Sequence, residues 1–400
     1  MTREEKMARK ILALYITISF LFNFSHSFVF AIYTVFLKER GMDLMQINLI
    51  NAFFMFAIFI FEIPTGSFAD RYGRKASIVL GSVFYGGGML AYYFSDSFWG
   101  FVIAELTLAF GATMYSGATE AWAVDSLKFY SYDGCLLEIF KRESQFKQLG
   151  IVIGALIGSY VANYDLALPW LMAFAANIAF ALFCQATIRE DYFKHNRSLA
   201  KNASMALIAK DSFHFGVKEK RVFFAILFTS AIFMCFQPLN MYWNIVLTES
   251  YGLSVGSLGW MFMGVSAFIV IGSQFSTAFA KKFKNESEAL VLSQVVTTAG
   301  ILVAALMAEL PIFVAGFLFH ELGRGLFGPL KQSYINHRIP SEKRATILSF
   351  DSMINKGAAL VGLVVSGYVA KIFSISVSWI GAGLALAAFI PLFLSFKPKE

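Results

Sequence analysis

GSFADRYGRK, residues Gly66 to Lys75, places one acid, three bases and two glycines between two long apolar runs, near 46–69 and 76–95. So dense a group of charges cannot continue an apolar run. The stretch marks where one long segment meets a polar surface and the next begins. Gly73 permits a tight turn, Gly66 lets the preceding segment approach a neighbour closely, and Asp70 can accept hydrogen bonds from a helix N-terminus or an arginine.

Outward from this turn the same alternation covers the chain. Apolar runs fall near 11–37, 46–69, 76–95, 98–124, 144–164 and 166–188, then near 221–247, 255–280, 287–308, 311–332, 344–370 and 375–396. Roughly 20 residues at 1.5 Å rise cross about 30 Å of hydrocarbon. The 400 residues are 58% hydrophobic and 15% charged, with 45 Phe. Soluble domains carry roughly a quarter charged residues, so a soluble enzyme, a disordered chain and a disulfide-stapled secreted domain are excluded. The runs are long and do not alternate, and lipid requires backbone groups to be satisfied within each segment. Both points indicate helices rather than a barrel. Arg3, Lys6, Arg9 and Lys10 precede an apolar run to Leu37 that is too long for a signal-peptide core, so it reads as the first spanning helix. The expected fold is all-α, with twelve transmembrane helices in two pseudo-symmetric six-helix bundles, 1–188 and 221–400, joined by a cytoplasmic central loop, 189–220.

Basic residues give the orientation. With the N-terminus inside, 28 of the 33 Lys and Arg fall on the cytoplasmic side, three (Lys38, Arg40, Lys371) outside, and Arg324 and Lys356 within spans. This bias puts both termini in the cytoplasm, in the expected setting of a bacterial inner membrane. The net charge of +7 is therefore a topology signal and does not point to nucleic acid. A slide of 208 residues lays Glu143 on Asp351, Ser144 on Ser352, Gly154 on Gly362 and Tyr160-Val161-Ala162 on Tyr368-Val369-Ala370. Span five thus repeats in span eleven, as in transporters that rock two halves about a midplane site.

The opening stretch also resembles the signature loop of the major facilitator superfamily, a Gly, three residues, Asp-Arg, one residue, Gly-Arg-Lys. Gly66, Asp70, Arg71, Gly73, Arg74 and Lys75 all match. The flanks EIPTG (Glu62 to Gly66) and RGLFGPLKQSYIN (Arg324 to Asn336) look more loosely like the bacterial drug:proton antiporter branches. The resemblance implies alternating access, with the loop acting as a conformational latch and Asp125 and Arg142 as partners of Arg74 and Asp70. The matching stretch of the second half, AKKFKN from Ala280, has no Asp or Gly, so the latch is expected on one side only. The resemblance also implies that spans one, four, seven and ten line a central cavity.

An ionisable group in hydrocarbon costs about 3 kcal/mol on insertion scales and should face a cavity or a partner. By helical rise, Glu62 lies about 12 Å from the nearest polar boundary, Glu105 about 14 Å, Glu321 about 15 Å and Lys356 about 18 Å. Glu105, Ala109, Ala112, Ser116 and Glu120 form a small and acidic stripe on span four. Ser19, Asn23, His26, Phe30 and Tyr33 form a polar and aromatic one on span one. Span seven offers Gln237, Asn240 and Asn244, with a kink expected at Pro238. A carboxyl in an apolar site has its charged form disfavoured and so suits proton exchange. Glu62 and Glu105 lead as proton carriers, with Glu321 and His26 behind them. The alternative reading of Glu62 and Glu105 is as structural acids paired with Arg324 or Lys356 across the bundle. Glu321 and Arg324, three apart, are expected to pair. Asn23, His26, Phe30, Tyr33, Gln237, Asn240, Asn244, His320, Arg324 and Lys356 are the candidate substrate-cavity residues. The histidines, and the amides of span seven, read equally as packing and helix-bridging groups.

Other signals are discounted. GRGLFG (Gly323 to Gly328) lacks a βαβ context for dinucleotide binding, and HELGR at His320 lacks the second histidine of a metalloprotease. Sequons at Asn196, Asn202 and Asn285 fall on the cytoplasmic side. Cys135, Cys184 and Cys235 show no paired spacing and read as apolar packing residues. No catalytic constellation, ATP-binding loop, metal site or cofactor is expected. The expected partners are the lipid bilayer, protons and a small-molecule substrate, and the chain is expected to act as a monomer. The expected function is proton-coupled export of small amphipathic or drug-like compounds. Proton-coupled uptake of an anionic or zwitterionic solute, such as an organic acid or metal chelate, stays open beside it, as does a non-transporting sensor or lipid flippase.

Overall fold

The computed structural model describes residues 3–132, 134, 136–193, 220–306, 308–338 and 344–396. Among them are thirteen α-helices, α1 (Arg3–His26), α2 (Tyr33–Glu39), α3 (Leu44–Tyr72), α4 (Arg74–Phe94), α5 (Phe98–Phe129), α6 (Leu136–Ala162) and α7 (Leu168–Thr187), then α8 (Lys220–Ile245), α9 (Ser257–Ala280), α10 (Glu286–Leu306), α11 (Leu310–Arg338), α12 (Arg344–Ile372) and α13 (Ile375–Phe396). With α1 and α2 taken as one crossing, twelve segments are long and apolar enough to span a membrane. Of the expected central loop, residues 194–219 lie outside the described residues, as do Cys135 and the sequons at Asn196 and Asn202.

The chain forms two compact units. One lies within residues 1–42, 50–201 and 252–262, the other within 43–49, 202–251 and 263–400. In the first, α1 packs on α6 and α7, and α4 packs on α5 and α7. In the second, α8 packs on α12 and α13, and α10 packs on α11 and α13. Six places along the series of spans, every pairing recurs, so two pseudo-symmetric six-helix bundles make up the protein.

The repeated residues do repeated work. Gly154 of α6 sits against the Phe24 carbonyl of α1, where an added Cβ would lie 2.6 Å from that oxygen, and Gly362 of α12 sits as tightly against the Met234 carbonyl of α8. Both glycines let the first helix of their bundle approach at backbone distance. The acids aligned with them take partners on different helices of their bundles. Glu143 accepts a hydrogen bond from Ser19 of α1, and Asp351 accepts one from Lys331 of α11 at 2.6 Å.

The first span departs from its expected continuous helix. α1 stops at His26, a 3₁₀ turn occupies Ser27–Val29, and α2 begins at Tyr33. Local competition for carbonyls accounts for the break. Ser25 Oγ donates to Phe22 O at 2.7 Å, Ser27 Oγ to Phe24 O at 3.1 Å, and His26 Nδ1 lies 2.6 Å from Phe22 O. At Pro238, where a kink is expected, helical geometry carries through to Ile245, and the irregular turn is a π turn at Val246–Ser250. Span two opens with a reciprocal cap: Asp43 Oδ1 accepts from the Gln46 amide at 2.9 Å and Gln46 Oε1 from the Asp43 amide at 3.0 Å. Cys184 and Cys235 are buried free thiols.

Gly154→Leu should destabilise the purified protein by about 1–3 kcal/mol, because its side chain overlaps the α1 backbone. Gly87→Ala, with nothing within 4 Å of the new Cβ, should not. Thermal unfolding in detergent checks the contrast.

Candidate functional site

In the first bundle the helix break delivers Tyr33 to Glu105. Glu105, on α5, is 3% exposed. Its Oε1 accepts hydrogen bonds from Tyr33 of α2 and Tyr92 of α4, both at 2.6 Å. Tyr92 is held in turn by a stacked Trp170 ring 4.0 Å away at 9°. Burial disfavours the carboxylate while two hydroxyl donors favour it. The opposing influences meet on one carboxyl oxygen.

The other residues expected beside Glu105 do other work. His26 is buried, with Nδ1 against the Phe22 carbonyl. Since a carbonyl only accepts, that nitrogen carries the hydrogen. Phe22, Phe30 and Tyr85 enclose the ring with centroids 4.7, 5.1 and 5.3 Å away. Asn23 returns a hydrogen bond to Ser19 O, one turn back in α1, at 2.8 Å. Glu62 is exposed on α3, as is Glu120 on α5.

In the second bundle the expected Glu321–Arg324 pair forms at 3.0 Å within α11. Glu321 is buried, whereas the Arg324 side chain keeps 27% of its surface open. Arg324 also donates to Asn240 Oδ1 of α8 at 2.9 Å and lies 4.9 Å from the centre of the Phe236 ring. His320 is fully buried with Nδ1 3.6 Å from Glu321 Oε1, at a point where Gly300 admits the α11 backbone against α10. Glu321 Oε2 is buried with no hydrogen-bond partner among the described residues. Gln237 and Asn244 serve their own helix, Gln237 Nε2 donating to Phe233 O at 2.9 Å and Asn244 Oδ1 accepting from the Ile245 amide at 2.9 Å. Lys356 is half-buried on α12, one residue from Asn355. Asp351 collects Lys331 at 2.6 Å and Asn355 at 3.0 Å.

The signature loop turns at Gly73, whose φ of +102° suits glycine alone. Asp70 pairs with Arg74 at 2.6 Å, which corrects the expected pairings of Arg74 with Asp125 and Asp70 with Arg142. Asp70 lies in the last turn of α3 and Arg74 opens α4, so the pair closes across the turn at Gly73 that joins the two helices. A residue absent from the sequence reading completes the loop: Glu190, just beyond α7, accepts from the Arg74 amide at 2.6 Å and caps the N-terminus of α4. Arg71 and Lys75 flank the turn. Burial pushes the pKa of the Tyr192 hydroxyl well above its ordinary range, and the charges of Glu190 and Asp125 add to the shift.

Tyr92, Glu190 and the Lys331–Asp351–Asn355 cluster are the groups sequence reasoning missed. Tyr92 stands in an aromatic run, Tyr92-Tyr93-Phe94, that reads as a membrane-interface anchor. Lys331 reads as a boundary cation.

The Major Facilitator Superfamily profile matches residues 15–245 and 222–400. The chain belongs to this superfamily and is an MFS-type membrane transporter. It is similar to the MFS-type transporter YxaM of Bacillus subtilis (strain 168), at 24% identity over 377 residues, 92% of this chain and 91% of that one. It is also similar to the multidrug resistance protein MdtH of Aeromonas salmonicida (strain A449), at 22% identity over 306 residues, 76% and 72% of the two chains. Its fold matches the crystal structure of the nucleoside transporter NupG with a TM-score of 0.82 at 13% identity, covering 98% of this chain and 100% of that one.

Arg324→Ala strands the Glu321 carboxylate in an apolar interior and should destabilise the protein by about 3–5 kcal/mol. Glu321→Gln should cost less, and the double variant less than the sum. A double-mutant cycle by thermal unfolding checks the coupling.

Proposed function

We propose that this chain exports small amphipathic or drug-like compounds by alternating access, driven by protons that bind and leave Glu105. The observation that carries this reading is the buried Glu105 carboxyl between two tyrosine hydroxyls. That arrangement can hold the carboxylate through two donated hydrogen bonds, or the acid with a tyrosine oxygen as acceptor. Its position on span four, among the spans lining the cavity in the family's architecture, agrees with a coupling role, as does the similarity to a multidrug resistance protein. Glu62, exposed on α3, would serve as the entry acid. The loop of Gly66, Asp70, Arg71, Gly73, Arg74 and Lys75 would act as the latch. In this reading Glu190 seals it, and the Asp70–Arg74 pair opens and re-forms as the transporter cycles. The setting is a bacterial cytoplasmic membrane, with both termini inside and the chain a monomer.

A second reading, uptake of an anionic or zwitterionic solute, has one observation in its favour. Arg324 keeps a quarter of its side chain exposed beside Asn240 and the Phe236 ring, a set suited to a carboxylate or phosphate carried on an apolar body.

In proteoliposomes loaded with ethidium, an imposed pH gradient should drive dye movement in the wild type, and Glu105→Gln should abolish it while leaving the protein folded in the membrane. Gradient-driven flux unchanged in Glu105→Gln would remove Glu105 as the carrier. Anion uptake that disappears in Arg324→Ala, normalised to folded protein, would favour the second reading. Flux of neither kind would leave the sensor or flippase.

A further inference from the structure

We infer that the basic end of the first bundle holds a binding site for a phosphate-bearing amphiphile of the kind an anionic phospholipid presents. A cavity of about 340 Å³ opens there, between the start of α1, the end of α5 and the chain just beyond α7. Its volume lies at the lower end of the range typical of small-molecule sites.

Three features set the ligand's chemistry. Lys10 and Arg189 both line the cavity. Each stands one residue outside an apolar run, 11–37 and 166–188, so both cations lie at the depth where lipid phosphates sit. Met7, Ile11, Leu14 and Phe129 supply an apolar wall for a tail. Ser126, also lining the cavity, is 3% exposed, and its Oγ has no hydrogen-bond partner among the described residues. A buried hydroxyl without a partner carries an uncompensated desolvation penalty, which a phosphate oxygen would offset.

The rest of the lining is already engaged. Trp122 Nε1 donates to the Arg189 carbonyl at 3.0 Å, which fixes the strand of chain that carries the cation. Asp191, the acid of the lining, accepts from the Tyr130 hydroxyl at 2.8 Å. Two cations against one engaged acid leave the cavity positive. A tail wall beside an anion site selects an amphiphile over a free anion. The site lies apart from Glu105 and Arg324, and this inference does not rest on the proposed transport reaction.

The test is thermal unfolding of the purified full-length protein in a maltoside detergent, with phosphatidylglycerol, phosphatidylcholine or inorganic phosphate added. Phosphatidylglycerol should raise the midpoint by about 3 °C or more, as a ligand that binds only the folded state does. Phosphatidylcholine and inorganic phosphate at the same concentration should each give less than a third of that shift. The double variant Lys10→Gln/Arg189→Gln and the cavity-filling Ser126→Leu should each lose at least half of the phosphatidylglycerol shift. Equal protection by phosphatidylcholine would overturn the anion selectivity, and equal protection by inorganic phosphate would overturn the amphiphile. A full shift retained in the double variant would overturn the site, whether or not Ser126→Leu folds.

Discussion

Hydrocarbon tolerates an acid or a base only when something beside it replaces water, and that constraint shapes both bundles. Glu105 has two tyrosine hydroxyls, Glu321 has Arg324, and Asp351 has Lys331 and Asn355. In each case the partners lie in the same bundle as the acid. The solutions differ in kind. The first bundle answers a buried carboxylate with neutral donors, which leaves its charge uncompensated. The second answers with cations and forms neutral pairs. A neutral cage suits proton exchange, since adding a proton there does not strand an opposite charge.

The helix break at Ser27–Val29 connects backbone to chemistry. Serine and histidine side chains take carbonyls from the end of α1, the chain makes a 3₁₀ turn, and α2 restarts with Tyr33 as its first residue. The close contacts of Gly154 and Gly158 with the Phe24 and Phe28 backbone hold this segment against α6. A continuous span one would present Tyr33 differently. The polar residues that end α1 and the tyrosine that meets Glu105 therefore belong to one arrangement. The histidine read as a proton group serves the break, with its Nδ1 hydrogen spent on a carbonyl.

The fold was legible because lipid imposes a length and a polarity on every crossing. Twelve apolar runs, the Gly66–Lys75 turn and the Gly154/Gly362 register all reappear in the structure, since hydropathy and close packing are properties of short stretches. The site was legible only in part. Buried acids announce themselves by their cost, so Glu105, Glu321 and Arg324 stand out from sequence. Their partners do not, because a tyrosine near a helix end reads as an interface anchor whether or not its hydroxyl reaches a carboxyl in the next helix. The Glu321–Arg324 pair could be read because it lies within one turn. The exchange of Asp125 and Arg142 for a local Asp70–Arg74 pair shows the converse: among several charges at a polar turn, sequence ranks partners poorly, and Glu190, 116 residues from Arg74, is beyond its reach.

The central claim is that the carboxyl caged by Tyr33 and Tyr92 is the group that gains and loses the proton. Infrared difference spectroscopy of the purified protein across a pH titration tests it most directly. A protonated-carboxyl band should grow in together with a tyrosine ring signal. Both should vanish in Glu105→Gln, and the carboxyl band should shift in frequency in Tyr33→Phe and Tyr92→Phe, where one hydrogen bond is gone. A carboxyl band of undiminished size in Glu105→Gln, or one indifferent to both tyrosine substitutions, would contradict the account.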